Sequence, residues 1–92
     1  MEELNILRGK VEELYNAHNP NADVWIDWGY PNHVLVVARL AERIARAQQA
    51  NERLVVAGAL LHDIADTVMA RKGSTHEAES LKIAERLLRE QL

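Results

Sequence analysis

The eight residues from Leu54 to Leu61 constrain the fold of this 92-residue chain more than any other segment. The run contains no charged or polar side chain, and the pair His62-Asp63 follows it directly. Because a helix that is apolar on every side needs neighbours on every side, the run predicts a central, buried helix. Asn51 is placed to cap it, and Gly58 within it predicts the close approach of another backbone.

Three further helices are predicted from apolar residues at three- and four-residue spacing. The first covers about residues 2–17 and ends in a breaker cluster of Asn and Pro. The second follows an irregular segment, 21–30, enters through Pro31 and runs to about residue 49. Its apolar stripe comprises Val37, Leu40 and Ile44, with His33 at the head.

The last helix is predicted over residues 75–92, behind a capping box formed by Ser74 and Glu77. Residues 65–73 form a polar connection between the third and fourth helices. No segment alternates between apolar and polar residues as a half-buried strand would. The prediction is therefore an all-α fold, a compact bundle of about four helices.

Composition limits the classes of function. The net charge is −3 and the basic residues are scattered, which argues against duplex nucleic acid as a partner. There is no Cys, so any metal site must use His and carboxylate ligands. The longest apolar run is too short to span a membrane, and the acidic N-terminus is unlike a signal peptide. We therefore expect a cytoplasmic protein with one domain, residues 1–92.

The pair His62-Asp63 carries the chemistry in this pattern. A carboxylate that follows a buried apolar helix is costly to bury unless a partner compensates its charge. A divalent metal ion would do so, with His33 as a further ligand. Imidazole and carboxylate suit Mn, Fe, Co, Ni or Zn, whereas Mg prefers more oxygen ligands. Taken alone, the pair fits a helix C-terminal cap equally well.

Two segments resemble the HD superfamily of metal-dependent phosphohydrolases: HVLVVARLA at residues 33–41 and ALLHDIAD at residues 59–66. The family's signature is an early His, a downstream His-Asp pair and a more distant Asp, and His33, His62 and Asp63 match its first three positions. The resemblance implies a helical bundle that holds a divalent metal between its second and third helices. It also implies metal-assisted hydrolysis of small phosphate esters such as nucleotides, in which Asp63 orients or deprotonates the attacking water.

His76 looks like the additional His with which some binuclear members of the family bind a second metal. Glu79, one turn further along the same predicted helix, is a possible additional ligand. The alternative for His76 is a solvated residue in a polar first turn.

Asp66 stands where many members of the family carry Lys or Arg. It is either a catalytic carboxylate or a solvated residue of the connection. In the absence of that basic residue, the charge of the substrate phosphate would be stabilised by the metal together with Arg39, Arg71 or Lys72.

The chain reaches Leu92 without a counterpart of the family's distant Asp, so the resemblance implies a bundle that lacks the closing C-terminal helices. Three interpretations remain open. The last ligand comes from within the chain, as His76, Glu79 or Asp66; an identical partner supplies it; or the site is degenerate and the domain serves dimerisation or ligand binding. Because an open bundle would expose part of its apolar helices, we expect a homodimer.

Overall fold

The computed structural model describes residues 2–72 and 74–90, and within these ranges the protein is helical without any strand. The all-α prediction is confirmed. The helices are α1 (Glu2–Asn16), the short α2 (Ile26–Gly29), α3 (Leu35–Ala47), α4 (Glu52–Leu61) and α5 (His76–Glu90). None of the described helices is long and apolar enough to cross a membrane.

The core lies where α1 and α3 pack against α4. One face of α1 is buried at three- and four-residue spacing, as the sequence predicts, and it meets apolar side chains from the other helices. The buried apolar residues of this core are Leu4, Leu7, Val11, Tyr15, Ile26, Tyr30, Val34, Ala38, Val56, Leu60, Leu61, Ile64, Ile83 and Leu87.

Burial of α4 is one-sided, so the prediction of a helix with neighbours on every side is wrong. Val56 and Leu60 are fully buried, but Leu54 is 68% exposed. A Cβ atom on Gly58 would meet nothing within 4 Å from the other described elements, so the predicted close approach of another backbone is wrong as well. The reason is that this side of α4 faces an open groove of about 440 Å³, lined mainly by apolar side chains of α4 and α5. The cap is confirmed, because Asn51 accepts a hydrogen bond from the backbone of Leu54 at 3.1 Å.

The predicted apolar stripe of the second helix is not its buried face. Leu40 is 50% exposed and Ile44 is 61% exposed, whereas Ala38 and Ala45 are buried. Small side chains on the inner face let α3 lie close to α4, and the larger aliphatic residues are left outside.

The segment before α3 is already helical from Ile26, whereas the sequence predicted irregular chain as far as residue 30. It continues from α2 into a π-helical turn, Tyr30–Val34, in which the Leu35 N–H donates to the Tyr30 carbonyl. Pro31 has no N–H, so the regular ladder is interrupted at this point and the wider turn forms. His33 is part of this turn.

The connection after α4 is also more ordered than predicted. Residues Ile64–Thr67 form a 3-10 helix, all four of them buried, and it packs against α5. The prediction of a polar connection is therefore wrong for these residues, and Gly73 lies outside the described residues. The last helix begins at His76, one residue later than predicted. Its predicted end at Leu92 also lies outside the described residues.

Candidate metal centre

His33 and His62 meet at one end of the α3–α4 pair. Their ring centroids are 5.4 Å apart, with the planes inclined by 61°. His33 comes from the π-helical turn, and His62 follows the last residue of α4. The two helices, crossing at close range, thus bring together imidazoles that are far apart in sequence.

His62 has a defined orientation because its Nδ1 lies 2.6 Å from the carbonyl oxygen of Ala59. A carbonyl oxygen only accepts hydrogen bonds, so Nδ1 carries the hydrogen. The other nitrogen, Nε2, lies 3.0 Å from Oδ2 of Asp63. Metal-binding imidazoles commonly have this arrangement, with one nitrogen held by a carbonyl and the other available to a ligand.

Asp63 completes a group of three. Its Oδ2 is 4.0 Å from His33 Nε2, and one ligand atom from each of His33, His62 and Asp63 lies within 4.8 Å of the others. Among the described residues, the buried side-chain nitrogens without a hydrogen-bond partner are His33 Nε2 and His18 Nδ1, and of these two only His33 belongs to the group of three. Because buried polar atoms are normally paired, His33 Nε2 is available to a further ligand. The donor set of two imidazoles and one carboxylate fits a divalent transition metal.

Arg71 also contacts Asp63, through Nη2 at 3.2 Å from Oδ2. The same Nη2 lies 2.7 Å from Oδ2 of Asp66, and Nε lies 3.4 Å from its Oδ1. The guanidinium therefore bridges two carboxylates. The hydrogen bond to Asp66, more than any other contact, raises the pKa of Arg71 above its usual value.

Asp66 is a buried carboxylate with only 2% of its surface exposed. Besides Arg71, it contacts Nε2 of His76 at 2.7 Å through Oδ1. The alternative of a solvated loop carboxylate is therefore wrong. His76 is only 12% exposed in its side chain, so the alternative of a solvated imidazole is wrong as well. The structure places His76 against Asp66 and outside the group formed by His33, His62 and Asp63.

The family model of the HD domain matches residues 30–92, about two thirds of the chain, and includes all of these residues. The chain belongs to the HD-domain family. Comparisons with curated proteins and with solved structures gave no match.

The remaining predicted site residues of this HD domain are Arg39, Arg71, Lys72 and Glu79. Of these four described residues, Arg71 is the one that contacts the carboxylates of Asp63 and Asp66. Arg39 lies on the outer face of α3, in a depression lined by its neighbours on that helix. Glu79 forms an ion pair with Lys82 at 3.7 Å. Lys72 is exposed beside Arg71.

Several contacts around the HD-domain site were not predicted from the sequence. The Tyr15 hydroxyl donates to the backbone oxygen of Asp63 at 3.5 Å, and burial raises its pKa. Ser80 accepts a hydrogen bond from the backbone of Ala65 at 3.0 Å and so ties α5 to the 3-10 helix. Asp23 accepts one from the backbone of Arg71 at 2.9 Å. These contacts cross large sequence separations, and no local pattern indicates them.

Trp25 also supports the site, because its ring lies under the Arg71 guanidinium, 4.9 Å from Cζ to the ring centroid. A Cβ atom on Gly29 would lie 3.0 Å from the Trp25 ring, so the absence of a side chain there lets the indole pack closely. In the sequence, Gly29 and Pro31 mark the entry to the second helix and do not indicate this contact.

Proposed function

We propose that this HD domain is a metal-dependent phosphohydrolase that binds a divalent cation through His33, His62 and Asp63 and acts on small phosphate esters such as nucleotides. The observation that carries the proposal is the convergence of these three side chains, whose ligand atoms lie within 4.8 Å of one another, beside a buried His33 Nε2 that has no hydrogen-bond partner among the described residues. The membership of the HD family, whose members are mostly phosphohydrolases, supports the reaction type.

When bound, a divalent ion supplies positive charge for the phosphoryl oxygens and lowers the pKa of the attacking water. His33 and His62 offer neutral nitrogen ligands, and Asp63 offers one negative oxygen. The second oxygen of Asp63 is free to orient the water or accept its proton, because the described contacts of this carboxylate all involve Oδ2.

Among the three basic residues predicted to bind substrate phosphate, we assign the role to Arg71. Its side chain is 44% exposed and its guanidinium already contacts Asp63, so it can meet a phosphoryl oxygen without leaving its place. Lys72 would reach the site from the surface. Arg39 lies on the outer face of α3, which makes it the weakest of the three candidates.

A direct catalytic role for Asp66 would require the release of Arg71 or His76, since both carboxylate oxygens are engaged. We therefore favour a role for Asp66 in holding these two side chains in place. A role for His76 or Glu79 as a ligand of a second ion would likewise require them to leave Asp66 and Lys82.

The proposal is tested by metal titration and by a phosphatase assay. Protein stripped with EDTA should bind about one equivalent of Mn²⁺ or Ni²⁺ in calorimetry. Each of the variants His33→Ala, His62→Ala and Asp63→Asn should bind the ion at least about tenfold more weakly, because loss of even an outer-shell contact lowers metal affinity by about 10–100-fold. Release of phosphate from nucleoside monophosphates should require the added metal and disappear in the same variants.

A matched control is His18→Ala, which removes an imidazole that is paired with Asp27, on the loop after α1. This variant should bind the metal as the wild type does. Circular dichroism confirms that each variant is folded. Equal metal affinity in the wild type and in His33→Ala would refute the proposed site.

A second candidate function is a degenerate HD module that serves dimerisation or ligand binding. The observation in its favour is the ion pair between Arg71 and Asp63, which compensates the carboxylate charge without an added cation. A protein that binds no metal and keeps its thermal stability in chelator would support this second candidate.

A further inference from the structure

The Arg71 guanidinium lies where the positive charge of a metal ion would be needed. Its Nη2 is 3.2 Å from Oδ2 of Asp63. This is the same oxygen that lies 3.0 Å from His62 Nε2 and 4.0 Å from His33 Nε2. One carboxylate oxygen therefore faces both the guanidinium and the two imidazoles, and it cannot keep all of these contacts while it coordinates an ion.

The two carboxylates hold Arg71 unequally. Asp66 is almost completely buried and meets the guanidinium with both oxygens, at 2.7 and 3.4 Å. Asp63 meets it through one longer contact, and its side chain is 25% exposed. Trp25 beneath the guanidinium and Asp23 on the Arg71 backbone add two further anchors. The contact with Asp63 is therefore the one that can be released while Arg71 stays in place.

We propose that Arg71 is a built-in counter-ion that competes with the metal for Asp63. In the metal-free protein it neutralises this carboxylate, and it gives up the contact when a divalent cation binds. Asp66 then retains it beside the ion, where it binds a phosphoryl or other tetrahedral oxyanion. This inference rests on the proposed metal site and adds the prediction that one residue acts in opposite directions on cations and anions.

The opposite signs separate this role from a merely structural one. Loss of a structural support would lower the affinity for every ligand, because the site would lose its shape. Loss of a competing positive charge should tighten the binding of a cation, since both direct competition and like-charge repulsion disappear. The same loss should lower the affinity for an anion that the guanidinium contacts.

The test measures Mn²⁺ binding to the 92-residue chain by calorimetry and by the electron paramagnetic resonance signal of the free ion. Arg71→Gln should bind Mn²⁺ about tenfold more tightly than the wild type, as expected for removing one charge a few ångströms from a divalent ion in a partly solvated site. The matched control is Lys72→Gln, which removes the same charge at the adjacent exposed residue and should change the affinity less than about twofold.

The second measurement titrates inorganic phosphate into each Mn²⁺-loaded protein. Arg71→Gln should bind phosphate about tenfold more weakly, since it loses a charge-assisted contact. Arg71→Lys keeps the positive charge, so it should leave the Mn²⁺ affinity within about threefold of the wild type. It lacks the two parallel N–H donors of the guanidinium, so it should bind phosphate more weakly.

Arg71→Gln leaves the buried Asp66 without one of its two partners, and the single variant could unfold. The double variant Asp66→Asn/Arg71→Gln is therefore also compared with Asp66→Asn. The double variant should still bind Mn²⁺ more tightly than Asp66→Asn. If the wild type binds Mn²⁺ but the affinity rises neither in Arg71→Gln nor in the double variant relative to Asp66→Asn, the counter-ion role is overturned and the metal site remains supported. Absence of Mn²⁺ binding in the wild type and in all Arg71 variants overturns both proposals.

Discussion

Replacement of Asp66 by alanine should destabilise the metal-free protein more than any change to an exposed carboxylate. Asp66 is 2% exposed, and its carboxylate contacts His76 Nε2 at 2.7 Å and Arg71 Nη2 at 2.7 Å. The alanine variant removes both contacts at once and leaves His76, itself only 12% exposed in its side chain, without its carboxylate partner.

The expected magnitude follows from these two contacts. A hydrogen bond that involves a charged group contributes about 1.5–3 kcal/mol. The contact with Arg71 belongs at the low end of this range, because the guanidinium is 44% exposed and keeps its contact with Asp63. The total loss is therefore about 3 kcal/mol, which is a large fraction of the roughly 5–15 kcal/mol that stabilises a domain. The thermal midpoint should fall by about 15 °C.

The assay is urea unfolding followed by circular dichroism. The m-value, which is the slope of the unfolding free energy against urea concentration, should be the same in all variants, so that a shift of the midpoint reports stability alone. The matched control is Asp27→Ala, because Asp27 also pairs with an imidazole, His18 Nε2 at 3.2 Å, but is 81% exposed. This control should change stability by at most about 0.5 kcal/mol. If Asp66→Ala costs no more than Asp27→Ala, the buried carboxylate does not stabilise the fold as argued.

Two further predictions concern the tyrosines and the outer face of α3. Burial raises the pKa of Tyr15 and Tyr30 in the folded protein. The phenols of the unfolded chain ionise near pH 10, so the free energy of unfolding should be unaffected by the tyrosines below about pH 10 and should fall as the pH rises above it. Tyr15→Phe should reduce this fall in urea unfolding; parallel profiles of wild type and variant would contradict it. We also expect self-association through exposed Leu40 and Ile44. Light scattering should detect a dimer that Leu40→Glu dissociates, and a wild-type monomer at micromolar concentration would refute this.

Much of the candidate site could be predicted from the sequence. The pair His62-Asp63 at the end of an apolar helix and His33 at the start of the preceding one were predicted to meet, and the structure brings their ligand atoms within 4.8 Å. The cost of burying a carboxylate indicated that Asp63 needs a compensating partner, but it left a metal ligand and a helix cap equally possible. The resemblance to the HD superfamily decided between the two and supported His33 as the third member of the group.

The surroundings of the group could not be predicted in the same way. Asp66 was predicted as a catalytic or a solvated carboxylate, and it is buried between Arg71 and His76. Next to it in sequence, the Ala65 backbone donates a hydrogen bond to the Ser80 hydroxyl, which ties the 3-10 helix to α5 across fifteen positions of sequence. Contacts of this kind depend on where two elements meet in space, and neither segment contains that information by itself.

The sequence alone determined the helical class, the buried face of α1 and the capped start of α4, because each depends on residues within a few positions of one another. Only the tertiary structure decided which faces of α3 and α4 are buried. Apolar periodicity marks a face that can be buried, but the size of the side chains decides which face allows two helices to approach. In this protein Ala38 and Ala45 lie inside, and the larger Leu40 and Ile44 lie outside.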